Sequence, residues 1–231
     1  MNRRMTQDLA HKRPYLLASL IAGISFPATW LFLPLEGGLI ALVWKMAGVG
    51  LLVPFALHRH HVGEFVPLAI ILAFYALGDG LIEFSMVAGA LAFAVGHLVA
   101  IWLYFRHRRV APTFSQKLLA IAIFLLTPVI AYGLPPTTDE AVQVAAYSVI
   151  LAAMAAMAWS SNFPRYRVGL GAVLFVISDL LIFAELGPLA NSKVSGIAIW
   201  YLYYFGVLMI AVGVAQTLVK RGHYAAGEER D

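Results

Sequence analysis

Eight apolar runs, each close to the length that crosses a bilayer, dominate this 231-residue chain. They fall at about Tyr15–Leu33, Leu39–Leu57, Phe65–Phe84, Val87–Phe105, Gln116–Tyr132, Glu140–Trp159, Val168–Leu186 and Val194–Val219. A hydrocarbon core about 30 Å thick takes about 20 helical residues per crossing. Backbone inside it must satisfy its own hydrogen bonds, so runs of this length resolve as helices. The expected fold is all-α: a polytopic membrane helix bundle of eight transmembrane helices, forming a single integral membrane domain. Those spans consume about 160 residues and leave only loops and tails. Composition agrees, with 61% hydrophobic and 12% charged residues against about 45–50% and about 25% in soluble domains.

The breaks between runs carry turn residues: Pro34, Gly37 and Gly38; Gly63 and Pro67; Pro112; Pro135 and Pro136; Pro164; Gly187 and Pro188. Pro27, Pro54 and Pro128 fall inside runs and are expected as kinks whose freed carbonyls neighbouring helices re-satisfy. Arg3 and Arg4 precede the first run as they would in a secretory signal. That run is too long for a signal core and no small-x-small cleavage site follows, so it reads as a span.

Fourteen of the 16 Lys and Arg residues lie in the two tails and in the second, fourth and sixth loops, with Lys117 at the adjoining helix start. The opposite loops hold Lys193 alone. By the positive-inside rule both termini are expected in the cytoplasm, and the lack of transit or retention signals fits a bacterial inner membrane. The net charge of +4 is spread between apolar runs rather than gathered on a face, which argues against nucleic acid as a partner. With no cysteine there is no disulfide, Cys-ligated metal or thiol nucleophile. The tract His58, His60 and His61 reads as an interfacial loop, Ala88, Ala92 and Gly96 as a helix-packing stripe, and Arg106–Arg109 as a topology mark that meets anionic lipid. No nucleophile elbow, phosphate loop or His-Glu-x-x-His pattern occurs.

The informative residues are the ionisable ones inside the runs, because a charged side chain at the bilayer centre costs about 2.5–3.5 kcal/mol on insertion scales and normally faces a bundle interior or a wet cavity. They are Lys45, Asp79, Glu83, His97 and Asp179, with Glu185 near a span end. At about 1.5 Å per residue, Lys45 lies about 9 Å from the outer end of its span, Asp79 about 8 Å, His97 about 15 Å and Asp179 about 11 Å. Tyr201, Tyr203 and Tyr204 fall in the same layer. Asp79 and Glu83 are spaced to share a helix face. Structural readings stand beside the functional ones: Lys45 paired with an aspartate, His97 donating to a carbonyl, the tyrosines as an interfacial belt.

Gly78-Asp-Gly-Leu-Ile82 in the third run is similar to Ser178-Asp-Leu-Leu-Ile182 in the seventh, four helices later. Two readings follow. Either the halves are parallel four-helix repeats about an axis along the membrane normal, which would set Asp79 opposite Asp179, or five apolar-rich positions match by chance.

The same stretches carry a family resemblance. Tyr75-Ala-Leu-Gly-Asp-Gly-Leu-Ile-Glu83 with Ala90-Leu-Ala-Phe-Ala-Val-Gly-His97, and Gly171-Ala-Val-Leu-Phe-Val-Ile-Ser-Asp-Leu-Leu-Ile182 with Tyr201-Leu-Tyr-Tyr204, resemble the two signatures of the YhhN-type lysoplasmalogenases, an eight-span membrane family. Lys45 and Pro54 also sit where that family tends to have them. One departure is visible: where the family commonly continues Tyr-Tyr with an apolar pair and a glutamine, this chain has Phe205-Gly206-Val207.

The resemblance implies an enzyme, a hydrolase of the vinyl ether bond of lysoplasmalogens that releases a fatty aldehyde and glycerophosphoethanolamine or glycerophosphocholine. Vinyl ethers hydrolyse by slow proton transfer to carbon, giving an oxocarbenium ion that water captures. Such a site needs a protonated acid and a negative group beside the cation, and two carboxyls in a dry place can divide those roles, as glycosidases do. Asp79 and Asp179 are the expected acid and carboxylate, without an order between them, and His97 would position water or assist proton return. Lys45, Glu83, Ser178, Tyr201 and Tyr204 are the expected substrate-binding side chains. The chemistry calls for no metal or organic cofactor, and the expected partners are a lysophospholipid substrate and the surrounding membrane lipids. A proton-coupled transporter, a lysolipid-binding membrane protein, and the same scaffold acting on another ether or ester lysolipid are the rival classes.

Overall fold

The computed structural model of the chain describes residues 3–33, 38–57, 62–190, 192 and 194–228, with 3–13, 62–64 and 222–228 described by backbone alone. Pro34, Gly37, the His58, Arg59, His60 and His61 tract, Lys193 and Arg230 lie outside the described residues. The helices are α1 (Arg3–Ser25), α2 (Ala28–Leu31), α3 (Leu39–Gly50), α4 (Leu52–Leu57), α5 (Val62–Leu81), α6 (Met86–Arg106), α7 (Phe114–Tyr132), α8 (Thr138–Ser160), α9 (Leu170–Glu185) and α10 (Ser195–Glu228). A π-helical turn, Arg165–Gly169, leads into α9.

Seven helical stretches among the described residues are long and apolar enough to cross a membrane, and Phe65–Leu81 forms a shorter eighth. The chain is therefore an all-α polytopic membrane protein of about eight helices, as the eight runs predict. The first two runs are each broken in two. Phe26 and Pro27 form a turn between α1 and α2, and Leu51 interrupts the helix between α3 and α4. The second break has a direct cause: Pro54 has no N–H to give to the carbonyl of Gly50. Pro128 is accommodated within a continuous α7.

Gly63 and Pro67 do not separate spans, as their turn chemistry led us to expect; both lie inside α5. Pro67 is the sixth residue of the helix, so the Gly63 carbonyl loses its i+4 donor, yet α5 continues through it as a tolerated interior proline. The third run also stops sooner than its apolarity implies. Residues 82–84 form the turn into α6, with the Ser85 amide bonded to the Leu81 carbonyl at 2.9 Å.

The residues group into two compact units, Met1–Gly96 and His97–Asp231, with the boundary falling within the sequence of α6. In the first unit α1 packs on α3 and α4, and both of these pack on α5. Leu68, Ile71, Leu72, Tyr75 and Asp79 form one buried stripe along α5, the spacing of a single helix face. In the second unit α7 packs against α8, and α9 against α10. The buried face of α9 runs through Ala172, Phe175, Val176, Asp179 and Phe183. Each aspartate thus occupies a place among hydrophobic residues, with Ser178 the buried polar neighbour of Asp179 on α9.

Candidate active site

Gly78-Asp79-Gly80 shows why a carboxyl can be held in α5. A Cβ on Gly78 would lie 2.8 Å from the Phe93 ring, and one on Gly80 would lie 2.6 Å from the sulfur of Met46. The two glycines let α6 and α3 approach α5 on either side of the aspartate, whose exposure is 2%. Gly96 serves the same purpose in the second motif of this unit, since a Cβ there would meet the Tyr75 ring at 2.6 Å. The stripe Ala88, Ala92 and Gly96 is a packing surface at Ala92, which is buried, and at Gly96.

Glu83 does not share the environment of Asp79. It stands in the turn beyond α5 and is exposed, with its side chain at 43%. Its carboxylate takes the ammonium of Lys45 at 2.5 Å, the latter's side chain being only 14% exposed. The cation of the second run thus pairs with Glu83 rather than with an aspartate. The ion pair stands in the wall of a cavity of about 490 Å³ formed by the end of the first span, the start of α3 and the turn after α5. Phe26, Trp30 and Phe84 supply its aromatic lining.

In the second unit the sequence-selected residues are joined by one that sequence reasoning passed over. Tyr147 of α8 donates its hydroxyl proton to Asp179 Oδ2 at 2.8 Å, and His97 Nε2 lies 3.1 Å from the same hydroxyl oxygen. Because that proton is directed at Asp179, the contact with His97 completes when Nε2 carries the imidazole hydrogen and donates it. His97 is fully buried and Asp179 is 6% exposed. Phe175 holds the imidazole edge-to-face at a centroid distance of 5.0 Å and meets Tyr203 at the same distance. The result is a hydrogen-bonded chain, His97, Tyr147 and Asp179, with aromatic walls. Such a chain can hold a carboxyl in one orientation and relay a proton along polar atoms.

The remaining candidates have separate places. Ser178 is buried and donates to the Ile199 carbonyl at 2.9 Å, tying α9 to α10. Tyr204 is fully buried and stacks on Trp200 at 6.0 Å, while Tyr201 is half-buried and stacks on Phe205 at 5.9 Å. Gly206 lies where α10 crosses α9: a Cβ there would sit 2.7 Å from the Gly171 carbonyl oxygen. Val207 beside it is fully buried. The Phe-Gly-Val departure is thus a helix crossing followed by an apolar contact. Arg109 of the basic loop does more than mark topology, since its guanidinium donates to the Ser161 carbonyl at 3.2 Å.

No curated protein and no solved structure matches the chain. The model of the YhhN family matches residues 40–214, a stretch that takes in both aspartate motifs, His97, Tyr147 and the Lys45–Glu83 pair. Covering far more than half of the sequence, that match makes this chain a member of the YhhN family, the family of lysoplasmalogenases.

Proposed function

We propose that the protein is a membrane-embedded hydrolase that cleaves the vinyl ether bond of lysoplasmalogens, yielding a fatty aldehyde and glycerophosphoethanolamine or glycerophosphocholine. The observation that carries this reading is the burial of two carboxyls, Asp79 and Asp179, in helix faces made mostly of hydrophobic residues. Membership of the YhhN family supports it.

In this mechanism a carboxyl gives its proton to the vinyl carbon distal to the ether oxygen, and the double bond becomes an oxocarbenium ion. An ionised carboxylate offsets the charge of that cation. Water adds to the carbon bearing oxygen and yields its proton to a carboxylate, and the hemiacetal collapses to the aldehyde and the free glycerol hydroxyl. His97 and Tyr147 orient Asp179 through the two hydrogen bonds on the tyrosine hydroxyl. A single-chain lipid suits the setting, because its tail remains among apolar helices while its glycerol reaches the polar groups. The excess of Lys and Arg in the tails and even-numbered loops supports a cytoplasmic position for both termini.

Asp79→Asn and Asp179→Asn test the reading. Purified in detergent and assayed for aldehyde release from lysoplasmenyl lipid, each is expected to lose at least about a hundredfold in rate, the scale of general acid catalysis. Rates near wild type with either substitution overturn its catalytic role. Vesicle flux of lysolipid without aldehyde release by the wild-type protein overturns the hydrolase reading in favour of a carrier.

A further inference from the structure

The cavity of the first unit is much larger than its ion pair requires. At about 490 Å³ it falls in the range of small-molecule sites, about 300–1,000 Å³. Its wall holds one cation and one anion in contact, Lys45 and Glu83, beside the rings of Phe26, Trp30 and Phe84. Phe26 and Trp30 meet edge-to-face at 4.9 Å, and Phe84 at the rim is 78% exposed.

We propose that this cavity is a receptor for a zwitterionic phospholipid head group, in which Lys45 takes the phosphate, Glu83 takes the ammonium, and the head group inserts into the protein's own ion pair. The proposal rests on the lysolipid reading above and adds the place where the head group of that substrate is held and the side chains that select it. Lys45 is largely out of water, so separating it from Glu83 without compensation is costly. A ligand carrying one charge of each sign compensates both partners at once. A phosphate monoester satisfies Lys45 but sets like charge beside Glu83, and a neutral glycerol compensates neither. Aromatic faces accept an ammonium or quaternary ammonium as a cation–π partner, which suits ethanolamine and choline alike.

The cavity also belongs to the unit that holds a buried carboxyl: Asp79 lies in the last turn of α5, and Glu83 stands in the turn that follows it.

Saturated 1-O-alkyl lysolipids test the receptor without chemistry, because they lack the vinyl double bond. Displacement of radiolabelled 1-O-alkyl-glycerophosphocholine from the full-length solubilised protein is measured with unlabelled alkyl lysolipids bearing phosphocholine, phosphoethanolamine, a phosphate monoester or no phosphate. The two zwitterions are expected to bind about tenfold or more tightly than the other two, the scale of one charge-assisted hydrogen bond. Glu83→Gln is expected to bring the phosphate monoester within about twofold of phosphocholine. Equal affinities in the wild-type protein, or an unchanged preference in Glu83→Gln, overturn the proposal. The wild-type series is decisive even if the variant misfolds. Hydrolysis of lysoplasmalogen without any head-group preference in binding overturns the receptor and spares the activity; preference without hydrolysis supports the receptor and overturns the activity.

Discussion

Tyr147→Phe removes one oxygen and nothing else from the second unit. The ring keeps its place against Phe183, which it meets at a centroid distance of 6.0 Å, so the change is confined to the hydroxyl. That oxygen accepts from His97 Nε2 at 3.1 Å and donates to Asp179 Oδ2 at 2.8 Å. Hydrogen bonds of this kind are worth about 0.5–1.5 kcal/mol each, and about 1.5–3 kcal/mol where one partner is ionised. Loss of both therefore amounts to roughly 2–4 kcal/mol. If the chain orients Asp179 for catalysis, a part of that sum appears in the transition state, and kcat is expected to fall about ten- to a hundredfold. The assay is initial-rate aldehyde release coupled to a reductase, with thermal unfolding in detergent measured on the same sample. His97→Ala provides the second arm. Residues acting as one chain are non-additive, so the double variant is expected to be little slower than Tyr147→Phe. A kcat within about twofold of wild type, or the two effects multiplying, refutes the relay.

Two further expectations concern what holds the second unit together. A methyl on Gly171 would stand 2.6 Å from the Gly206 carbonyl oxygen and 3.1 Å from Met209 Cβ; Gly171→Ala is therefore expected to destabilise by about 1–3 kcal/mol, read as a lowered Tm, and an unchanged Tm would show that the crossing yields. Ser178→Ala removes the part-buried bond from α9 to the Ile199 carbonyl, at an expected cost of about 1 kcal/mol. Its kcat/KM is expected to stay within about threefold of wild type, since the hydroxyl proton is already engaged between helices; a larger loss would place Ser178 against the substrate.

The spans were legible because membrane insertion acts on runs of residues rather than on individual contacts. A run such as Gln116–Tyr132 is long enough to cross and apolar from Leu118 on except for Thr127, and the structure returns it as Phe114–Tyr132, with the same final residue. Helix ends were harder to read, because they depend on backbone bonds that hydropathy does not report. Phe65–Phe84 is continuous in apolarity except for Asp79 and Glu83, yet the helix closes at Leu81. Pro67 shows the converse. As punctuation it reads as a break, but an interior proline is tolerated in a membrane bundle where neighbours re-satisfy the freed carbonyl, and α5 runs through it.

The candidate site shows where one-dimensional reasoning stops. Asp79, His97 and Asp179 stood out by a rule that needs no partner: an ionisable group in an apolar run is expensive wherever it points. Tyr147 escaped because a tyrosine in a span is cheap, its ring apolar and its hydroxyl a small debt. Counted from Glu140 at 1.5 Å per residue it lies about 10 Å deep, in the layer of the aspartates, so the signal existed without standing above the other tyrosines. Lys45 illustrates the opposite limit. Its cost announced a partner, but Asp79, Glu83, Asp179 and Glu185 all lie in later runs, and the turn after Leu81 decides among them. That turn carries Glu83 out of the α5 stripe and leaves Asp79 inside it. One carboxylate is spent on the lysine at a cavity wall while the other stays among hydrophobic residues. The backbone thereby separates a binding charge from a buried carboxyl four residues away, a distinction that their helical spacing alone predicts against.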